Sequence, residues 1–207
     1  MFRYNTNGDI MYSIGTPIIR EYSIKKSKFI VVIQRIETIP QIVKQLEEIK
    51  TCYKAANHYC FAYRYHGSER ASDDGEPSGT AGIPMLEILK KQALEEILVV
   101  VIRYFGGIKL GVGGLMRAYS SCLVETLKEG KFASLQKGIR IHLTCSYEKE
   151  AFFSRFFSSI EGKKYQEKVQ IQGIVTTEQL QQLTQETGGL IQFQEELFFL
   201  APATEQK

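Results

Sequence analysis

Two short stretches hold the residue types from which chemistry is usually built. Residues 72–82 read SDDGEPSGTAG and place Asp73, Asp74 and Glu76 within four positions. Clustered carboxylate oxygens suit a hard divalent cation, and one carboxylate beside a substrate serves as a general acid or base. If the backbone N–H groups of residues 78–82 open a helix, Gly79 and Thr80 become part of an anion site instead. The plain alternative is a turn, since Asp, Gly, Pro and Ser favour turns and acids near a helix start offset its dipole. Residues 103–117 read RYFGGIKLGVGGLMR, with Gly106, Gly107, Gly111, Gly113 and Gly114 set among Arg103, Lys109 and Arg117. Glycines let a ligand or another backbone come close, and cations beside a helix N-terminus favour an anion. No standard phosphate motif fits. The spacing from Gly106 to Gly111 is that of a P-loop, but Val112 and Gly113 follow in place of Lys and Ser/Thr, and a dinucleotide pattern begun at Gly111 fails at Met116. Here the plain alternative is a tight strand-to-helix connection.

A third stretch, residues 57–65 (NHYCFAYRY), alternates as a strand does. His58, Cys60, Ala62 and Arg64 share one face, and Tyr59, Phe61, Tyr63 and Tyr65 share the other, which reads as the core-facing surface. His58 and Arg64 are then supporting residues. His58 and Cys60 have no further ligands at zinc spacing, so a zinc site is excluded.

The elements that position these stretches can be read from periodicity. Six aliphatic residues, 97–102 (ILVVVI), suit a strand buried on both faces, leading directly into the glycine loop. Leu115, Met116, Tyr119, Leu123 and Leu127 then follow helical spacing, with Gly130 at the C-cap position. A second helix is predicted over about residues 80–92, one or two strands over 21–36, and a helix opened by a capping box at Thr38-Ile-Pro-Gln41. Beyond Gly138 the pattern changes. A strand is predicted over 139–147, a helix over 148–160 burying its phenylalanines and Ile160, and two strands turning near 170–173. A helix capped by Thr176 and Gln179 and stopped at Gly188-Gly189 precedes a last strand over 190–200. That βαββαβ order is ferredoxin-like. It contains no catalytic constellation, and His142 falls on a solvated face.

With 207 residues, 43% of them hydrophobic, the chain has material for one or two cores. It shows no membrane-length apolar run and no secretory signal, so a cytoplasmic protein with four reduced cysteines is expected. The first dozen residues read as loosely attached, with Met11 an alternative start. The net charge of +3 is unevenly spread: residues 1–147 hold 20 Lys and Arg against 14 Asp and Glu, and residues 148–207 hold 6 against 9. The basic excess therefore lies on the side of the glycine loop.

SDDGEPSGTAGIP (72–84) followed by VVVIRYFGGIKLGVGGLMRAYS (99–120) resembles the signature pair of the IMPACT/YigZ family, as do the upstream IKKSKFI (24–30) and HYCFAYR (58–64). The resemblance covers roughly residues 23–127, and the ferredoxin-like unit matches the C-terminal domain of bacterial members. It implies an α/β domain over 1–134 like the second domain of ribosomal protein S5, and an α+β ferredoxin-like domain over 135–207 like the last domain of the translocation elongation factor. It also implies a translation-linked protein that meets RNA or the ribosome.

Two functional readings stand. One is a translation-linked regulatory or RNA- or ribosome-binding protein using the glycine-rich basic site for phosphate. The other is an enzyme, a hydrolase or transferase acting on a nucleotide or phosphorylated small molecule, with Asp73, Asp74 or Glu76 supplying a base or holding a divalent metal. Neither calls for an organic cofactor or a membrane.

Overall fold

The structure, a computed structural model, describes residues 11–187 and 191–200. The chain divides into two compact units, residues 1–133 and 134–207. The expectations for residues 1–10 and for the Gly188-Gly189 stop lie outside the described residues.

In the first unit β1 (Met11–Ile14) leads to β2 (Ile18–Ile24) and β3 (Ser27–Arg35). These two strands pair through a two-residue turn, with Lys25 and Lys26 both at positive φ, as tight hairpins require. Next come α1 (Ile39–Cys52), the hairpin of β4 (His58–Tyr65) and β5 (Ser68–Ser72), α2 (Gly82–Lys91), β6 (Ile97–Tyr104) and α3 (Val112–Lys128). The sheet order is β2-β3-β6-β4-β5, with every ladder antiparallel. The expected α/β domain is thus a mixed α/β unit on an antiparallel sheet. α1 carries the chain from β3 over β6 to β4, and α2 carries it from β5 over β4 to β6, so each crossover skips one strand and every adjacent pair is antiparallel.

β6 lies at the centre of this sheet, and residues 97–102 are fully buried, as the aliphatic run predicts. One face of the strand gives Leu98, Val100 and Ile102 to a core with Ile42 and Ile49 of α1. The other gives Ile97, Val99 and Val101 to a core with Met85, Leu89, Tyr119 and Leu123 of α2 and α3. β4 has a core on each side, and the more deeply buried face is not the aromatic one that its alternation suggests. Cys60 and Ala62 are fully enclosed against α2 and α3, while its aromatics are only partly buried on the α1 side.

The caps divide. Thr38 makes no side-chain cap bond, and Gln41 instead accepts the Glu37 N–H at 2.8 Å. At Thr176 the box forms in full: Gln179 Oε1 accepts the Thr176 N–H at 2.8 Å, and Thr176 Oγ1 accepts the Gln179 N–H at 3.2 Å. Gly130 is absent from the glycines with positive φ; a side chain there would meet the Phe132 ring at 2.4 Å, so space rather than conformation requires glycine.

The second unit runs β7 (Phe132–Cys145), α4 (Tyr147–Ser154), β8 (Ser159–Tyr165), β9 (Val169–Val175), α5 (Thr177–Thr187) and β10 (Ile191–Leu200), with sheet order β10-β7-β9-β8. α4 ends six residues earlier than its phenylalanine spacing suggests. Ser158 donates its N–H to the Ile174 carbonyl at 2.8 Å, which pulls Ile160 into β8. The following turn accordingly falls at residues 166–168 rather than 170–173. His142 is half-buried on β7, and its Nε2 has no partner, so that face is less open to solvent than its alternation implies.

Since Leu98 fills the α1 side of the central strand, Leu98→Ala should lower stability by about 3 kcal/mol. In urea denaturation this reads as a lower midpoint at unchanged slope.

Candidate functional site

The two chemistry-bearing stretches meet at one end of the sheet. Arg103 closes β6 on the α2/α3 face, directly beside Phe29 of β3 and His58 of β4 in the strand register. It is only 4% exposed. Its Nη1 donates to Glu76 Oε1 at 2.6 Å and its Nη2 to Ser27 Oγ at 3.2 Å, while the guanidinium lies 5.4 Å from the Phe29 ring centre and 5.5 Å from that of Phe105. Nε alone has no partner. The same Glu76 oxygen accepts the Tyr119 hydroxyl of α3 at 2.8 Å, with His58 Nε2 at 3.9 Å. One buried carboxylate therefore ties together the β5–α2 loop, the central strand and α3. Burial of this kind is tolerated because the charge is paired and hydrogen-bonded.

Burial, with the neighbouring Cys60 and Glu76, holds the Tyr119 hydroxyl far above its ordinary pKa, so it stays a donor. Burial likewise pushes the Cys60 thiol up to about 12. Its sulfur lies 3.0 Å from the Asp73 carbonyl oxygen and 3.3 Å from the Tyr119 hydroxyl. Such a protonated, enclosed thiol is a packing residue and not a nucleophile.

The other two carboxylates have separate tasks. Asp73 accepts the N–H groups of Gly79 at 2.7 Å, Ala81 at 2.9 Å and Gly82 at 2.8 Å. The donors at the start of α2 are therefore filled from within the chain. Thr80 is fully buried and bonds the Pro77 carbonyl at 2.6 Å. Asp74, at positive φ, accepts the Tyr59 N–H at 2.7 Å and turns its carbonyl to His58 Nδ1 at 2.9 Å. A carbonyl only accepts, so Nδ1 carries the proton and Nε2 faces Glu76. Three carboxylates with three sets of partners do not form a cage, and among the described residues no group of three His, Cys, Asp or Glu is placed to hold a metal ion.

Arg64 is not part of this cluster. It sits at the far end of β4 from His58, where it bonds the Leu94 carbonyl at 2.8 Å and pairs with Glu95 at 3.1 Å. That end of the sheet has its own buried charges. Glu96 is paired with Arg35 at 2.6 Å and His66 at 2.7 Å.

On the outside of the Arg103 cluster lies the glycine loop. Gly106 approaches the β2–β3 turn so closely that a Cβ would stand 1.9 Å from the Lys26 carbonyl oxygen. Gly107 and Gly111 adopt positive φ. Gly111 is the N-cap of α3, with no side-chain cap bond and no acid in the first turn. Gly113 and Gly114 lie within that turn, and Arg117 reaches back over it, its Nη1 3.6 Å from where a Gly113 Cβ would be. Lys109 and Arg117 are exposed, and neither has a hydrogen bond or ion pair among the described residues.

Sequence reasoning singled out Glu76 and Arg103 in two separate stretches but missed Ser27 and Tyr119, which complete their cluster. Tyr119 is indistinguishable by spacing from the apolar residues of its helix face, and Ser27 falls in the hairpin without a distinguishing motif.

A two-unit, mixed α/β protein with this pair of loops at one end of the first unit's sheet is a recognisable type. The Impact N-terminal domain matches residues 25–127, a span that contains both loops and the β2–β3 turn. The Bacillus subtilis protein YvyE, an IMPACT family member, is 48% identical over 110 residues, covering 52% of this chain and 51% of that protein. The Escherichia coli IMPACT family member YigZ is 32% identical over 154 residues, covering 72% of this chain and 76% of that protein. The chain thus spans about half the length of the B. subtilis relative and three quarters of the E. coli one. A crystal structure described as that of a hypothetical protein superposes with a TM-score of 0.63 at 27% identity, covering 95% of this chain and 99% of the other. The chain belongs to the IMPACT family.

For the Asp73 carboxyl, burial acts to raise the pKa, but the N–H donors of Gly82, Gly79 and Ala81 outweigh it and hold the group below its ordinary value. Its stabilisation is present above the unfolded pKa of about 3.9 and is lost as pH falls through the lower folded value. Asp73→Asn should therefore lower stability by about 2 kcal/mol at neutral pH. Thermal melts taken from neutral pH down to about pH 2 should show the gap closing, and a constant gap would contradict the assignment.

Proposed function

We propose that the chain is a translation-linked protein that contacts RNA, in the cytoplasm or on the ribosome, through the surface around Gly106. Family membership supports the link to translation. The observation that carries RNA contact is the approach of Gly106 to the Lys26 carbonyl, which joins two basic segments about eighty residues apart in sequence. Lys25 and Lys26 of the turn thereby stand beside the loop that bears Lys109 and leads into α3 with Arg117, and none of the four has an ion pair among the described residues. The open N-terminus of α3 adds N–H donors suited to a phosphate oxygen.

We also read the first unit as a domain like the second domain of ribosomal protein S5, and the second as ferredoxin-like. The element order of the second unit and its sheet order β10-β7-β9-β8 support the latter. The enzyme reading is weaker, since Asp73, Asp74 and Glu76 are each engaged by separate partners. No helix among the described residues is long and apolar enough to cross a membrane.

Lysine and arginine contacts to phosphates make binding fall with salt, each contributing roughly 0.7 to 0.9 to the logarithmic slope. A labelled RNA oligomer titrated across a salt series should bind the native chain steeply, and Lys109→Ala/Arg117→Ala should flatten the slope by between about 1 and 2. An unchanged slope would remove the loop from the interface. Absence of binding at low salt would refute RNA contact.

A further inference from the structure

The basic loop shows more apolar surface than phosphate binding requires. Phe105 is 44% exposed, Ile108 41%, Val112 58% and Met116 42%. Val112 and Met116, one helical turn apart, are neighbours on the surface of α3. Lys109 follows Ile108 and Arg117 follows Met116 in sequence, and all four are exposed, so apolar and cationic groups are interspersed in this region. No acidic residue lies between Phe105 and Val124.

Phe105 is also held in place. Its N–H bonds Asn57 Oδ1 at 2.8 Å, and its ring lies 5.5 Å from the Arg103 guanidinium, which is buried and fixed by Glu76 and Ser27. The ring is thus anchored on the side of Arg103 while much of its surface stays open to solvent.

Resting on the RNA reading above, we infer that this surface takes single-stranded rather than duplex RNA. A duplex presents phosphates and 2′-hydroxyls and hides its base faces, leaving nothing for an anchored ring and an apolar rail to contact. A single strand offers phosphates and base faces together, and base–aromatic stacking on charged grooves is how such strands are held. Phe105 serves as the stacking platform, Ile108, Val112 and Met116 pack against further bases or sugars, and Lys109 and Arg117 meet phosphates. The cations on both segments, exposed and without an ion pair among the described residues, argue for a polyanion over an apolar protein partner.

The test compares a labelled single strand of about 12 nucleotides with the duplex of the same sequence at low salt, using the full chain and its Phe105→Leu and Phe105→Tyr variants. The single strand should bind at least about ten-fold tighter. Phe105→Leu, which keeps apolar bulk but loses the aromatic face, should weaken it by about five-fold or more and leave duplex binding unchanged. Phe105→Tyr should stay near native, showing that the site itself is intact. Equal or tighter duplex binding, or an unchanged Phe105→Leu, overturns this inference while RNA contact stands. Binding of neither RNA overturns both.

Discussion

The structure at this end of the sheet depends on one buried ion pair. Arg103 and Glu76 have almost no solvent contact and meet at 2.6 Å. Removing two charges from water is costly, and a pair of this kind holds only when geometry is good and the remaining polar atoms are bonded. Tyr119 and Ser27 supply those bonds. The elements brought together are β3, β6, the β5–α2 loop and α3, which no local sequence preference would assemble. Glu76 is thus a tie between elements, and the apparent acidic cluster around it is three independent devices: a central tie, a helix-start ligand in Asp73 and a turn in Asp74.

This inner network has an outer consequence. With Arg103 fixed, Phe105 is fixed above it, and the chain leaves β6 along a path that only glycine permits past the Lys26 carbonyl. The cations inside are neutralised by the fold; those outside, Lys25, Lys26, Lys109 and Arg117, have no ion pair among the described residues. The separation divides a motif that looks uniform in sequence: Arg103 is buried and organises the cluster, while Lys109 and Arg117 are exposed. At the opposite end of β6, Glu95 and Glu96 form a comparable buried set with Arg64, Arg35 and His66, so the central strand is pinned by ion pairs at both ends.

Much of this was legible in the sequence, for physical reasons. An unbroken six-residue aliphatic run suits a strand covered on both faces, and residues 97–102 are that. The alternation of residues 58–65 placed His58 and Cys60 on one face correctly, although it could not reveal that both faces are covered. Periodicity failed where a tertiary hydrogen bond overrode it, at Ser158, and capping chemistry was realised at Thr176 but not at Thr38. Within the site, Glu76 and Arg103 were identifiable as candidates from the charge and glycine content of their stretches. The partners Ser27 and Tyr119 were not, since their roles arise only from what folding sets beside them. Nor did spacing show that Asp73 fills the donors of Gly79, Ala81 and Gly82.

The most direct measurement is a double-mutant cycle between Glu76 and Arg103, using Glu76→Gln and Arg103→Met with chemical denaturation as the readout. Each single change leaves a buried charge uncompensated and should cost about 3 to 5 kcal/mol. The double variant should be less destabilised than the sum by about 2 kcal/mol or more, the coupling expected of contacting residues. Additive losses would mean that the pair does not hold this end of the sheet together, and with it would fall the claim that the inner network sets the shape of the basic surface.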